Sequence, residues 1–391
     1  MKKLRIIVSG YIGLFPSGGV TWDYIQYPLG LHLLGHDVYY IEDTMQYSRF
    51  QSEGKSWDDS SDSIQYLKET MEKFGLGDRW AYKDVASGKW FGIADARRND
   101  IFKTADVFLN ISESIWMRDE YLDIPVRILL DSDPMFTQVQ YWNDYEPEKS
   151  REIINKRFSN YSHLFSFGEN INAGDCSIPT YGLKWQVTRQ PVCLDYWQQT
   201  TGSPDICKLS SVMNWSTREK MIYQGEEWGQ KDVEFEKFID LPAKFHGVLF
   251  ELLVTDSSKK LERQRLTEAG WVIRDPLQLV RNTDEYQAYI ESSCAEFSVA
   301  KETYVKSNSG WFSCRSACYL AMGRPVITQD TKWSRYLPSG NGLFAFNDTA
   351  GALQALQEIT ADYKKHALAA RKIAEDYFDS YTVLNEMISC L

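Results

Sequence analysis

The sequence has few of the features that mark membrane proteins or nucleic-acid-binding proteins. It contains no apolar run that approaches the roughly 20 residues of a membrane-spanning helix. It also lacks an excess of basic residues, because its net charge is -11 at pH 7. A phosphate backbone requires a basic surface. These absences predict a protein that binds no nucleic acid and has no integral membrane segment.

The sequence also lacks the cysteine and histidine spacing of metal and redox sites. Its seven cysteines are scattered, and no Cys-x-x-Cys pair or neighbouring group of histidines is present. Cys314 and Cys318 are four residues apart, which is more typical of small packed side chains than of a metal site. We therefore expect no bound metal, no structural zinc and a reducing compartment.

The N-terminal segment predicts a first strand rather than a signal peptide. Met1-Lys2-Lys3 precedes a short apolar run, Leu4–Gly10, that leads directly into a glycine-containing loop. A signal peptide needs a longer apolar region followed by a cleavage site. We therefore expect a cytoplasmic protein whose first strand is buried in a sheet.

The chain is long enough for two hydrophobic cores. Its 391 residues exceed one ordinary domain, and 43% of them are apolar. Strand-like segments alternate with helical ones, which is typical of an α/β protein. We predict a first domain over residues 1–190, a second over 203–374, and a final segment, 375–391, that crosses back onto the first. The segment Thr188–Gly202, which contains Pro191, is the predicted hinge.

The segment Lys301–Asp330 carries the clearest βαβ pattern. An apolar strand, Phe297–Ala300, precedes a small-residue turn at Ser307–Gly310, and a helical run follows. Gly323-Arg324-Pro325 then leads into a second strand at Val326–Thr328. We expect the helix to begin near residues 309–313, where unpaired N–H groups and the positive end of the helix dipole bind anions. A phosphate group is the expected ligand.

Two cationic residues accompany this helix start. Lys301 directly follows the strand, at the carboxyl end, where open α/β sheets bind ligands. Arg315 falls in the first helical turn, where a cation is unfavourable unless it faces an anion. Alternatively, Arg315 points to solvent. We assign both cations to catalysis, and the residues assigned to substrate binding beside them are Ser309, Gly310, Trp311, Phe312 and Ser313.

This ordered set resembles the nucleotide-sugar segment of GT-B glycosyltransferases, especially the retaining families related to glycogen and sucrose synthases. Their G-x-P-V-[IV] strand start is matched by Gly323–Ile327, and a later glycine-containing element by Gly340–Leu343. Gly18-Gly19-Val20 resembles their G-G-V loop, and Gly35-His36-Asp37-Val38 resembles the start of their second strand. The resemblance implies two Rossmann-like domains facing a cleft, with Gly18 and Gly19 near the donor.

Several positions depart from the family pattern. Val20 stands where inverting relatives often have a catalytic histidine, so Asp23 is the candidate base. Alternatively, Asp23 is an acid that stabilises the helix start. Asn214 stands near the position of a diphosphate-gripping arginine of the retaining relatives, with Arg218 following it, and we assign Asn214 to substrate binding. Cys318 lies near the position of their ribose-binding glutamate. The donor nucleotide and the stereochemistry therefore stay open.

Carboxylates follow two predicted strands of the first domain. Asp131-Ser132-Asp133 directly follows the strand Val126–Leu130, and Glu169 comes shortly after the strand His163–Phe167. We assign Asp133 to catalysis and Glu169 to acceptor binding, because carboxylates there can accept protons or hydrogen bonds from hydroxyl groups. Alternatively, the aspartates stabilise a turn. The same triplet spells the D-x-D of metal-dependent GT-A enzymes, whose different fold does not agree with the GT-B pattern.

The predicted reaction is transfer of a sugar from a nucleotide diphosphate-sugar to a hydroxyl of a small molecule or glycan, without a cofactor. Lys301, Arg315 and the helix N-terminus would stabilise charge on the departing diphosphate, so no metal is needed. An inverting mechanism uses a base such as Asp23, whereas in a retaining one the leaving phosphate takes the proton. A nucleotide-sugar 2-epimerase and a non-catalytic nucleotide-sugar-binding protein are the alternatives. Nothing in the sequence indicates the oligomeric state.

Overall fold

The computed structural model describes residues 2–140, 142, 145–200, 202–217, 219–257 and 259–391. Arg218, which follows Asn214, thus lies outside the described residues. The strands of the described part form an eight-stranded sheet, a six-stranded sheet and a two-stranded ribbon. Among these residues, no helix combines the length and the apolar character needed to cross a bilayer.

The first sheet is parallel except at one edge. Its strands are β1 (Arg5–Ser9), β2 (Asp37–Glu42), β3 (Trp80–Lys83), β4 (Trp90–Gly92), β5 (Val107–Ile111), β6 (Val126–Asp131), β7 (His163–Ser166) and β8 (Trp185–Val187). Their order is β4-β3-β2-β1-β5-β6-β7-β8, and only β4 runs antiparallel to its neighbour. Both faces of β1 are buried: Ile6 and Val8 belong to one hydrophobic cluster and Ile7 to another. Helices on both faces explain this continuous apolar run.

The second sheet is parallel throughout. Its strands are β9 (Lys208–Asn214), β12 (Leu249–Thr255), β13 (Val272–Arg274), β14 (Ala295–Ser298), β15 (Val326–Gln329) and β16 (Leu343–Phe346), and the ribbon contains β10 (Met221–Tyr223) and β11 (Glu226–Trp228). The order is β13-β12-β9-β14-β15-β16. In chain order this is the 3-2-1-4-5-6 arrangement of a Rossmann fold, whose ligand binds where the strand order reverses. That point lies between β9 and β14.

The helices connect the strands and cover the sheets. They are α1 (Gly18–Leu33), α2 (Ser61–Lys73), α3 (Asp95–Thr104), α4 (Asp119–Leu122), α5 (Phe136–Val139), α6 (Pro147–Phe158), α7 (Lys231–Phe235), α8 (Leu241–Lys244), α9 (Arg263–Glu268), α10 (Pro276–Leu279), α11 (Thr283–Glu291), α12 (Glu302–Lys306), α13 (Cys314–Ala321), α14 (Thr349–Ala361), α15 (Tyr363–Tyr377) and α16 (Ser380–Ser389). Gly35, at φ +90°, follows the end of α1, as the sequence predicts. Pro28 lies inside α1, which nevertheless continues as one helix.

The last helix packs on the first sheet, although its sequence follows the second. Leu384 and Met387 of α16 belong to the hydrophobic cluster that contains Ile6 and Val8 of β1. The strands of the first sheet end at Val187, and those of the second begin at Lys208. The domain boundaries at residues 190 and 203 stay a prediction between these limits.

The structure differs from the sequence prediction in three segments. The sequence of residues 80–91 predicts an irregular aromatic patch, but the structure has β3 and β4 there, and Tyr82 pairs with Phe91 across an antiparallel edge. The sequence does not predict the ribbon of β10 and β11. Residues 233–241, for which the sequence predicts one long helical segment, are instead divided into α7, a 3-10 turn at Glu236–Phe238, and α8. Pro242 at the start of α8 explains the division, because proline suits the first turn of a helix but not its interior.

Replacing Leu384 with alanine tests the packing of α16 on the first sheet. The side chain is fully buried, so the variant is expected to lose about 2–5 kcal/mol of stability. The matched control is Leu368→Ala, because Leu368 on α15 is 47% exposed. Thermal unfolding followed by circular dichroism measures both changes. Equal midpoints for the two variants would contradict the packing.

Candidate active site between the two domains

Residues that follow β6 and β14 meet across the interface between the two domains. Lys301 precedes α12, and its Nζ lies 2.8 Å from Asp133 Oδ1. The Tyr304 hydroxyl donates to the same carboxylate oxygen. Trp311 stacks on Tyr304 with ring centroids 4.4 Å apart, and its Nε1–H donates to the Ser132 carbonyl at 3.1 Å. The carboxyl ends of the two sheets therefore face each other.

Main-chain hydrogen bonds join the loop before α13 to the loop after β7. The N–H of Asn170 donates to the Ser309 carbonyl at 3.1 Å, and Gly168 pairs with Trp311 in an isolated β-bridge. Gly310 has φ +74°, and a Cβ atom there would lie 2.5 Å from the Asn170 nitrogen. Glycine is therefore required at this position. In this structure Ser309, Gly310 and Trp311 form the contact between the domains.

The helix that the sequence predicts to bind an anion begins slightly later than expected. A short helix, α12, precedes the loop, and α13 starts at Cys314 with Ser313 as its N-cap residue. The Ser313 side chain makes no hydrogen bond to the first turn, so it does not cap the N–H groups there. Phe312 is 7% exposed and stacks on Phe378, which makes it part of the hydrophobic core beside the site.

Arg315 is buried beneath the start of α13. Its guanidinium forms an ion pair with Glu296 of β14 and donates to the Val212 carbonyl of β9 at 2.6 Å and to Ser298 Oγ at 2.5 Å. The Arg315 side chain is 12% exposed and that of Glu296 is fully buried. The alternative that Arg315 points to solvent is therefore wrong. Glu296 is the anion that this first-turn cation faces.

Lys231 is a site residue that the sequence analysis misses. It begins α7, beyond the ribbon that follows β9, and is only 7% exposed. Its charge interacts with those of Arg315, Glu296 and Lys301, yet no hydrogen bond or ion pair to its ammonium group occurs within the described residues. Burial and the charge of Arg315 lower the pKa of Lys231 well below its usual range. The signal that identified Arg315, a cation in the first turn of a helix, could also have identified Lys231.

Asp23 reaches this cluster from the first domain. Helix α1 begins at Gly18 with Ser17 as its N-cap, so Asp23 lies in the second turn and is not a helix-start acid. Burial raises the pKa of Asp23 to about 7, although the charge of Arg315 acts to lower it. In the described part of the chain, no hydrogen bond to the Asp23 carboxylate is present. A partly buried carboxylate that titrates near neutrality has the property needed by a general base.

The two glycines expected in a loop are the first residues of α1. The Gly18 N–H donates to the Val280 carbonyl at 3.0 Å, and a Cβ atom on Gly18 would lie 2.2 Å from the Asn282 carbonyl oxygen. A Cβ atom on Gly19 would lie 3.2 Å from the Tyr286 ring. In this structure both glycines allow α1 to approach the second domain closely, which holds Asp23 at the interface.

Two other predicted site residues have protein partners. Glu169 accepts two hydrogen bonds from Arg189, at 2.8 and 2.6 Å, and is 8% exposed. Asn214 ends β9, and its Oδ1 accepts a hydrogen bond from the Thr255 hydroxyl. Glu169 therefore supports the loop after β7, while Asn214 is exposed at the carboxyl end of the second sheet.

The Asp131-Ser132-Asp133 triplet is not arranged as a metal site. Asp131 is fully buried, and its Oδ2 accepts hydrogen bonds from Gln138 at 2.8 Å and from Ser166 at 2.7 Å. Asp133 instead faces Lys301. Across the described residues, no group of three or more His, Cys, Asp or Glu side chains could hold a metal ion.

Unpaired polar atoms lie near Lys231, Lys301 and Arg315, which we call the cationic cluster. Buried polar atoms are normally hydrogen-bonded. Within the described residues, three that lack a partner are Gln230 Nε2, Glu296 Oε2 and Ser316 Oγ, each in or next to a residue of the cluster. Gln230 Nε2, Ser316 Oγ and the ammonium of Lys231 can donate hydrogen bonds to an anion, whereas Glu296 Oε2 can only accept one.

No protein-family model and no curated protein sequence matches this chain. Solved structures resemble it over its whole length. A structure titled Anabaena Alr3699/HepE in complex with UDP and glucose has a TM-score of 0.58 at 10% identity, covering 99% of this chain and 100% of that one. An alpha-glucosyltransferase in complex with UDP and a 13-mer DNA has a TM-score of 0.57 at 9% identity, covering 100% and 99%.

A third structure, the sucrose-phosphate synthase of Thermosynechococcus elongatus, has a TM-score of 0.54 at 10% identity and covers 99% of this chain and 98% of that one. At such low identity the likeness concerns the fold alone. The two largely parallel sheets, whose carboxyl ends face each other, agree with it. The chain has the GT-B fold of glycosyltransferases, in which two Rossmann-like domains face a cleft.

Proposed function

We propose that the protein is a glycosyltransferase that moves a sugar from a nucleotide diphosphate-sugar to an acceptor hydroxyl. The observation that carries this proposal is the convergence of three cations, Lys231, Lys301 and Arg315, beside the start of α13. They lie at the point of the second sheet where the strand order reverses, which is where such sheets bind ligands. Proteins of the same fold have been crystallised with UDP, and a diphosphate has the charge that this cluster requires.

The cations would act on the leaving group. The diphosphate gains negative charge as its bond to the sugar breaks, and one preorganised donor aimed at such charge is worth about 3–4 kcal/mol. Lys231 has the most freedom to do this, because its ammonium has no partner among the described residues. The N–H groups at the start of α13, which the Ser313 side chain leaves uncapped, would add to it. No metal ion is needed for this role.

The ion pair between Lys301 and Asp133 suggests how donor and acceptor are coupled. Lys301 would exchange the Asp133 carboxylate for the donor diphosphate, because a diphosphate carries more negative charge. Asp133 would then be able to accept a hydrogen bond from the acceptor hydroxyl. Donor binding would in this way prepare the acceptor side of the cleft.

Asp23 is the proposed base of an inverting transfer. Its carboxylate lies at the interface, is only partly buried, and titrates near neutral pH. It would take the proton from the acceptor hydroxyl as the new glycosidic bond forms. In a retaining transfer the leaving phosphate would take that proton, and Asp23 would have no catalytic role.

A thermal-shift screen with UDP and the other nucleoside diphosphates tests the donor site. A ligand at 100 times its dissociation constant stabilises a protein by about 2.7 kcal/mol. Lys231→Ala is expected to weaken binding by roughly 10- to 100-fold, the loss of one hydrogen bond to a charged group. The matched control is Lys244→Ala, because Lys244 is exposed on α8. Arg315 is unsuitable for this test, since its removal leaves Glu296 buried without a partner.

Absence of any shift in the wild-type protein, or an unchanged shift in Lys231→Ala, would contradict the proposed site. The products of a nucleotide-sugar that does bind then distinguish the alternatives. Free nucleotide without transfer to any acceptor would favour the epimerase, and no turnover would favour the binding protein.

The low pKa of Lys231 predicts proton uptake when UDP binds. Burial lowers the pKa of Lys231, and a diphosphate beside the amine raises that pKa again, so the site takes up a proton when UDP binds at a pH between these two pKa values. Isothermal titration calorimetry in buffers of different ionisation enthalpy measures this uptake. In Lys231→Met the uptake should be smaller than in the wild type. An equal proton uptake by the variant and the wild type would rule out Lys231 as its source.

Asp23→Asn tests the base through the pH dependence of kcat/KM. The wild-type value should rise with pH through about 7 as Asp23 loses its proton, and the variant should lose this rise together with roughly 100-fold or more of the rate. A near-normal rate in a folded variant would indicate retention.

The same substitution tests the pKa of Asp23 through stability. Because folding raises this pKa, the free energy of unfolding falls as the pH rises towards 7. The asparagine variant should therefore unfold at a higher temperature than the wild type at pH 8.

A further inference from the structure

Aromatic side chains lead from the candidate active site to the surface of the first domain. Next to Asp23, the ring of Tyr24 contacts Tyr11 edge-on with centroids 5.6 Å apart, and Tyr11 contacts Phe15 at 5.8 Å. The Tyr24 hydroxyl donates to Ser112 Oγ at 3.0 Å. Ser112 directly follows β5, so Tyr24 lies at the carboxyl edge of the first sheet, where the candidate site is. Phe15, at the other end of this series, is 40% exposed.

The loop after β2 continues the series across the surface. The N–H of Arg49 donates to the Leu14 carbonyl at 3.3 Å, so this loop lies against the segment that carries Phe15. Its exposed rings are Tyr47, Phe50 and Trp57, of which Trp57 is 67% exposed. The rings of Tyr47 and Trp57 contact each other with centroids 4.7 Å apart. Large exposed aromatic side chains that adjoin a site mark a binding surface.

We propose that these six rings, which we call the aromatic track, bind a neutral oligosaccharide acceptor and bring its end to Asp23. The track consists of Tyr24, Tyr11, Phe15, Phe50, Tyr47 and Trp57. The inference rests on the proposed function and specifies the acceptor. Sugar rings present C–H faces that stack on aromatic rings, while their hydroxyl groups bond to polar side chains. The track offers both, because it ends beside the hydroxyl groups of Ser112 and Ser132.

The charges around the track favour a neutral ligand over an anionic polymer. Residues 44–62 carry four acidic and two basic side chains, namely Glu53, Asp58, Asp59, Asp62, Arg49 and Lys55. Lys55 is paired with Asp62. The whole chain has a net charge of -11, so nucleic acids and sulfated glycans are repelled. A neutral chain of several sugars meets no such penalty and is long enough to contact successive rings.

A glycan array tests this inference without any donor. The array carries neutral, sulfated and sialylated glycans of one to six sugars, and the wild-type protein should bind the neutral ones of three sugars or more. Trp57→Ala and Phe15→Ala should each weaken that signal roughly tenfold. Both should keep the wild-type unfolding temperature within a few degrees, because the side chains are exposed. The matched control is Tyr381→Ala on α16, where an equally exposed ring lies outside the track.

Binding only to anionic glycans, binding that the two substitutions leave unchanged, or no binding to any neutral glycan would overturn the inference. Transfer of the sugar from a UDP-sugar to an acceptor hydroxyl, with release of UDP, is measured separately for the wild-type protein. Glycan binding through the track without donor turnover would remove the transferase proposal and leave the track in place. Sugar transfer that the Trp57 and Phe15 substitutions leave unchanged would support the transferase proposal and overturn the track.

Discussion

The buried ion pair between Arg315 and Glu296 joins three elements of the second domain. Arg315 lies in the first turn of α13, Glu296 lies in β14, and the guanidinium also donates to Val212 of β9. One side chain therefore holds the helix start against the two strands between which the strand order reverses. Loss of either partner would leave a buried charge unpaired, at a cost of about 3–5 kcal/mol. The position of α13 depends on this pair.

The same charge sets the electrostatics of the cleft. Arg315 acts to lower the pKa of Asp23 from the first domain and contributes to the low pKa of Lys231 from the second. Burial acts on both groups as well, because it raises the pKa of Asp23 to about 7 and lowers the pKa of Lys231. A diphosphate beside Lys231 would raise the pKa of its amine again. The titration of one group from each domain is thus coupled to the same buried cation.

Close backbone approach is the second condition for the site. Gly18 brings α1 to the backbone near Asn282, and Gly310 brings the loop before α13 to the backbone of Asn170. A side chain at either glycine would overlap these neighbours and separate the domains. The resemblance to the GT-B family identifies Gly18 from its G-G-V pattern, but only the structure shows that its neighbour is protein backbone.

Local patterns were sufficient for much of the fold. Apolar runs bounded by turn residues predict strands over Asp37–Glu42 and Val107–Ile111, and β2 and β5 have these same bounds, because such runs are local signals. The sequence also predicts a break in the last helical segment at Tyr377–Asp379, which agrees with the separation of α15 from α16. Glu296 carried no such signal, since a single acid inside an apolar strand does not reveal its partner. Lys231 was hidden because the unpredicted ribbon of β10 and β11 separates it from β9.

The sequence by itself determined the two-domain α/β architecture and the segments that end at the cleft, because periodicity, glycine positions and strand ends depend on near neighbours along the chain. Only the tertiary structure decided which charges meet. Arg315 could face an anion or solvent, and Asp133 could face an acceptor or a turn, until folding placed Glu296 and Lys301 beside them. Those partners lie in other elements, and no local pattern records contacts between distant parts of a chain.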